Sequence, residues 1–272
     1  EIYTLSLHDA LPICQVLVLL AATAIAALAI GRAMLSPGEV IAVLARSLRG
    51  DGDVPLASRT IVMGVRLPRV AAAAMIGAAL AVSGAAYQGL FRNPMVSPDI
   101  LGASTGASFG AALALLVSAN RSGVQAAAFA GGVIAVLLTY ASARSIGRGT
   151  NQVLLLVLCG MIVSALFQAF VSAVKYTADP DSKLPEITYW LMGSLMGASW
   201  SQIALAAPFI VIGSGGIVVL RWRLNVLALS EDEARAAGVD VRSLRITLIV
   251  CATVVTKPGR SEERRVGKEC RS

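Results

Sequence analysis

The chain has 272 residues, 56% of them hydrophobic and 14% charged, with a formal net charge of +7 and a mean hydropathy of +0.74. A soluble domain carries about a quarter charged residues, so this composition excludes an ordinary soluble enzyme and indicates a polytopic membrane protein. The basic residues are scattered over short loops with neither a basic stripe nor an aromatic stacking platform, which removes nucleic acid as a partner.

Residues 1–14 are set apart as a tail, because the stretch through Pro12 is polar, mixed in charge and without spanning periodicity. The first apolar window covers 15–31. It follows no basic n-region, so a first membrane helix is the simpler reading than a cleavable signal.

Arg69 and Arg92 then bracket 22 residues without a charge, and an α-helix needs only about 20 apolar residues to cross a roughly 30 Å hydrocarbon core. Backbone amides in lipid must be bonded within their own segment, which selects a helix. Asn93-Pro94 and Ser97-Pro98 follow. Proline removes a donor and disfavours helix in the residue before it, so they set a break, with Arg92 and Asp99 placed to pair across it.

The next window, 100–120, carries Gly102, Gly106 and Gly110 at four-residue spacing. On a helix these share one face, where a neighbouring helix approaches closely. The same residues spell G-x-S-x-G around Ser104, the pattern of a hydrolase nucleophile elbow. A serine nucleophile needs a base, and the body of the chain has no histidine, His8 being the only one. The packing reading is therefore preferred and no catalytic residue is assigned.

Windows at 122–143 and 149–174 are full spans, and in the second Ser164, Gln168 and Ser172 recur at four-residue spacing. The window at 187–220 is too long for one helix and contains Gly193, Gly197 and Pro208. It reads as a short helix or re-entrant piece near Ile187–Met196 and a span near Ile203–Leu220, with one tilted, kinked helix as the alternative. Tyr189, Trp190 and Trp200 suit an interfacial position.

In the loop LSEDEARAAGVDVRSLR, Ser230 is an N-cap, Glu231 to Glu233 suit the positive first turn and Gly238 ends a compact helix. The last apolar run, 246–256, reaches about 16 Å at 1.5 Å per residue, so a helix is cut in its middle. Residues 257–272 form a second tail, and both ends resemble stretches appended to a broken reading frame. The fold expected for 15–256 is thus an all-α polytopic bundle with six full transmembrane helices and a truncated seventh.

Cys14, Cys159 and Cys251 are too scattered for a metal framework and act as small hydrophobes. Neither a disulfide, a metal site nor a cofactor is expected. No glycine-lysine phosphate loop is present, so the chain is not itself an ATPase.

At RLPR, QGLFRNP, GASTGASFG, YWLMGSL and SEDEARAAGVDVRSLR the chain resembles the FecCD-type permeases, the membrane subunits of bacterial ABC importers for iron-siderophores, haem and cobalamin. The resemblance covers about Val16 to Thr256. It implies a type II importer bundle of ten helices, of which this chain stops within the seventh, in the bacterial inner membrane. It places the amino terminus in the cytoplasm, Arg66 and Arg69 on the outer face and Arg221 to Arg245 on the inner.

The resemblance further implies three protein partners besides the lipid bilayer. An extracytoplasmic substrate-binding protein would present acidic residues to Arg66 and Arg69, whose planar guanidinium groups grip carboxylates with two bonds; snorkelling at a helix end is the alternative. Cytoplasmic ATPase subunits would receive the coupling helix through Glu231, Asp232, Glu233, Arg235, Gly238 and Val239, a solvated interhelical loop being the alternative. A second permease subunit, identical or not, would complete the path. The span from Gln152 to Val174 would line that path, and its polar face looks either into it or onto a neighbouring helix, so no substrate site is nominated there. The runner-up function is an ion-coupled secondary transporter, which ordinarily places ionisable residues inside spans; these windows contain none.

Overall fold

The computed structural model describes residues 7–31, 33–49, 55–97, 99–146, 152–227, 231–236, 238 and 240–261. Their regular elements are all helical. The chain divides into two compact units: one holds residues up to Ala73 with Ala198–Ile203, the other Ala74–Gly197 with Ala204 onward.

In the first unit, α1 (Leu7–Ala29) takes in part of the segment set apart as a tail. The next helix, α2 (Pro37–Arg49), has no counterpart among the expected spans. It is short and amphipathic, and a capping box starts it: Ser36 N–H donates to Glu39 Oε2 at 2.8 Å, and Glu39 N–H donates to Ser36 Oγ at 3.2 Å. Pro37 occupies the first helical position, where a missing N–H does no harm. Val40 and Val43 on α2 pack against Leu28, Ala29 and Val62.

A single helical turn, α3 (Leu56–Arg59), leads into a π-helical stretch, Thr60–Arg66, and on into α4 (Leu67–Phe91). The helical run is therefore 36 residues long, Leu56–Phe91, and begins well before Arg69, where the charge-free window starts. Trp200, at the start of α9, donates from Nε1 to the Met63 carbonyl of the π stretch at 3.0 Å.

In the second unit, α4 ends in a Schellman turn built without glycine. Arg92 takes φ +50°, its N–H reaches Gly89 O, and Asn93 N–H reaches Gln88 O. The chain then turns through residues 93–102 into α5 (Ala103–Leu116), which closes the same way on Ser118 at φ +57°. Next come α6 (Arg121–Ile146), capped by Asn120 through Gly123 N–H, α7 (Gln152–Thr177) and α8 (Lys183–Met192). The remaining helices are α9 (Trp200–Val219), α10 (Arg221–Leu227), α11 (Glu231–Ala236) and α12 (Val241–Ser261).

The expected count of six full spans is corrected at the third. Five helices among the described residues are long and apolar enough to cross a bilayer: Pro12–Ala29, Leu56–Phe91, Ser122–Ile146, Leu154–Thr177 and Trp200–Val219. The 100–120 window yields only the 14 residues of α5, about 21 Å of helix, because both its ends fold into turns. The long window at 187–220 divides into α8 and α9 with Gly193 at φ +74° between them, as its glycines suggested.

Candidate functional site

Arg66 closes the π stretch and is only 8% exposed. Its Nη1 donates to the carbonyls of Leu28 at 2.6 Å and Ala29 at 2.8 Å, and its Nη2 donates to Ala33 O. These are the last carbonyls of α1 and the turn after it, acceptors that have no partner within the helix. The guanidinium thus caps α1 and neutralises the negative end of its dipole. Gly31 lies directly beneath it: a Cβ there would sit 2.7 Å from Nη2. The expectation of an outward docking pair is corrected at Arg66, whose charge faces inward. Arg69, one turn further along α4, is half-buried.

The three glycines divide between two neighbours. A Cβ on Gly106 would strike the Gly131 carbonyl and Ala135, and one on Gly110 would strike the Ala127 carbonyl. Both therefore bring the α5 backbone against that of α6. Gly102 instead adopts φ +77° at the N-cap of α5, and its Cβ would face Ser164 Oγ on α7 at 3.1 Å. Ser104, the centre of G-x-S-x-G, donates from Oγ to Asp99 Oδ1. It sits in the first turn of a helix, not on a strand-to-helix elbow.

Ser104 opens onto a cleft of about 540 Å³ lined by Ser97, Asp99, Ile100, Ser104, Thr105, Ser108, Met161, Ser164 and Gln168. The turn before α5 forms its floor and α5 and α7 its walls. Two packing contacts hold that turn. Gly160 of α7 leaves room for the Ile100 carbonyl, and Thr139 of α6 donates to Leu101 O at 3.1 Å. Beyond Ser108 and Gln168 the walls meet in an aromatic cluster, with Phe109 centred 5.7 Å from Phe167 and 5.4 Å from Phe170.

The short helix α11 lies between α10 and α12. Ala234 is fully buried in the main core of the second unit, beside Val241 and Leu244 of α12, while Glu233 is exposed. Gly238 has φ +76°, the left-handed conformation expected past a helix end. Asp240 caps α12 by accepting from Ser243 N–H at 3.2 Å. Val239 and the N-cap expected at Ser230 lie outside the described residues, as do the side chains of Glu231, Asp232 and Arg235. Among the described residues no group of three His, Cys, Asp or Glu converges to hold a metal ion.

The profile of the FecCD transport family matches residues 19–257. The chain belongs to this family. Among FecCD relatives, the molybdate import system permease protein MolB of Haemophilus influenzae is 36% identical over 236 residues, covering 85% of this chain and 68% of MolB. The cobalamin import system permease protein BtuC of Halobacterium salinarum is 41% identical over 204 residues, covering 75% of this chain and 54% of BtuC. A solved inward-facing structure of a metal-chelate type ABC transporter superposes with a TM-score of 0.78 at 33% identity, covering 92% of this chain and 75% of that one. The chain thus spans between about half and two thirds of the length of these curated relatives.

As a FecCD protein with five spanning-length helices, the chain is a multi-pass protein of the cytoplasmic membrane. Two features escaped the sequence reading. The Ser36-x-x-Glu39 capping box was legible as a pattern. The polar cleft was not, because its walls come from segments some 60 residues apart and serines at helical spacing signal packing as readily as a path.

Proposed function

We propose that this chain is the permease subunit of a binding-protein-dependent ABC importer for a metal chelate of the iron-siderophore, haem or cobalamin class. Two permease subunits would form the path, a separate ATPase would drive it, and a binding protein would deliver the cargo from outside. The observation that carries the reading is the continuous FecCD match over residues 19–257, joined to a fold shared at 33% identity with a metal-chelate type transporter. The ion-coupled alternative gains no support from the relatives, which are named as import-system permeases. Those names also include molybdate, so the family by itself does not select the cargo.

The binding protein would dock at the outer end of α4 through Arg69, with Arg66 holding the surface in shape from beneath. The ATPase would engage α11 and the turn at Gly238. Burial of Ala234 among residues of α12 supports this, since a helix anchored in the core transmits a push where a solvated loop would absorb it. The test is ATP-dependent uptake of ferric enterobactin and cyanocobalamin into proteoliposomes holding the full chain with the ATPase and binding protein encoded beside it. Uptake that needs ATP and the binding protein supports the reading. Uptake driven by a sodium or proton gradient alone would sink it.

A further inference from the structure

The turn before α5 is at an unusual place. Gly160 and Ser164 of α7, which pack against Ile100 and Gly102, lie about 12 to 18 Å along the helix axis from Gln152 at 1.5 Å per residue. The non-helical backbone preceding α5 therefore meets α7 near its midpoint, inside the hydrocarbon depth of a spanning-length helix. Such backbone is tolerated in a membrane only where protein buries it or where it lines a water-filled cavity. Here it borders an open cleft, and Ser97 and Asp99 are exposed.

The cleft walls carry the same signal. Ser104 and Ser108 on α5, and Ser164 and Gln168 on α7, stand at four-residue spacing and face one another across it. Acyl chains offer these groups no hydrogen-bonding partner, so lipid is a poor occupant. The outward faces that do suit lipid are elsewhere, for example Val211 and Ile212 on α9, which are strongly exposed.

We propose that the cleft between α5, α7 and the turn at 97–102 is a water-filled part of the transport path, in which Ser104, Ser108, Ser164 and Gln168 hydrogen-bond the oxygen- and nitrogen-rich rim of the passing cargo. No Lys, Arg or His lines it, so it suits a solute held by hydrogen bonds more than a bare oxyanion that demands a cation. The cargo half of the inference rests on the importer reading; the hydration half does not.

The test separates the two. In the full chain with Cys14, Cys251 and Cys270 replaced by Ser and Cys159 by Ala, single cysteines are placed at Ser104, Ser108, Ser164 and Gln168, with Val211→Cys and Ile212→Cys as lipid-facing controls. Membrane-impermeant methanethiosulfonate reagents applied to the assembled complex from either side should label the four cleft positions and leave the controls unlabelled. Ser164→Leu with Gln168→Leu should lower chelate uptake about fivefold, as expected from losing one hydrogen bond in the path. Cleft cysteines no more reactive than Val211→Cys overturn the proposal, as does labelling accompanied by unchanged uptake, which would make the cleft wet but off the path. A parent complex that imports neither ferric enterobactin, cyanocobalamin nor molybdate counts against the importer reading instead, and the labelling pattern still decides hydration.

Discussion

The Arg66 guanidinium donates to the Ala29 carbonyl at 2.8 Å, joining the end of the π stretch to the end of α1. Three carbonyls with no helical partner converge on one planar cation, an arrangement that a point charge on a flexible stem cannot reproduce. Arg66→Ala is expected to lower the stability of the first unit by about 2 kcal/mol, the range for hydrogen bonds to a charged group. Arg66→Lys should restore only part of it. Thermal unfolding of the detergent-solubilised chain measures this, and an unchanged midpoint in Arg66→Ala would refute the capping role. Gly31→Val should behave like Arg66→Ala, since its side chain displaces the guanidinium.

Arg69 has a separate expected effect. Under the importer reading, Arg69→Glu weakens binding-protein docking about tenfold, mainly through a slower, less salt-sensitive association, while basal ATP hydrolysis is unchanged. Surface plasmon resonance with the permease complex in nanodiscs would show this. Equal affinity for parent and variant would remove Arg69 from the docking surface.

The α5–α6 crossing depends on glycine for space, not for conformational freedom. Gly106→Leu and Gly131→Leu each force two backbones apart, and the expected result is loss of monodisperse protein on size-exclusion chromatography. Gly215→Ala, where an added Cβ meets nothing within 4 Å, is the matched control and should elute like the parent. At the α9–α12 crossing, Gly213→Leu should fail in the same way as Gly106→Leu, because its side chain would meet Val255 and the Cys251 carbonyl.

Helix α2 begins on reciprocal bonds between Ser36 and Glu39. Replacing either by Ala should cost about 1 kcal/mol locally, read as faster amide exchange confined to the first turns of α2. The double variant should cost little more than one single variant, because the box fails as a unit.

The sequence by itself determined the membrane class, the helical fold and the family, because hydrocarbon imposes one constraint on every spanning segment: apolar side chains outside and every backbone group bonded within. That constraint leaves runs free of charge, and the interruptions at Gly193 and at Asn93-Pro94 were legible for the same reason. Depth and partner were decided only by the tertiary structure. The window at 100–120 looks as apolar as its neighbours, yet two turns ending on Gly102 and Ser118 shorten it to α5, and the contact of Gly160 with Ile100 places the turn near the middle of α7. In the same way, an arginine at a helix end reads equally as docking, snorkelling or capping. Which acceptor it meets is fixed by where another helix stops, and Arg66 faces inward because α1 ends beside it.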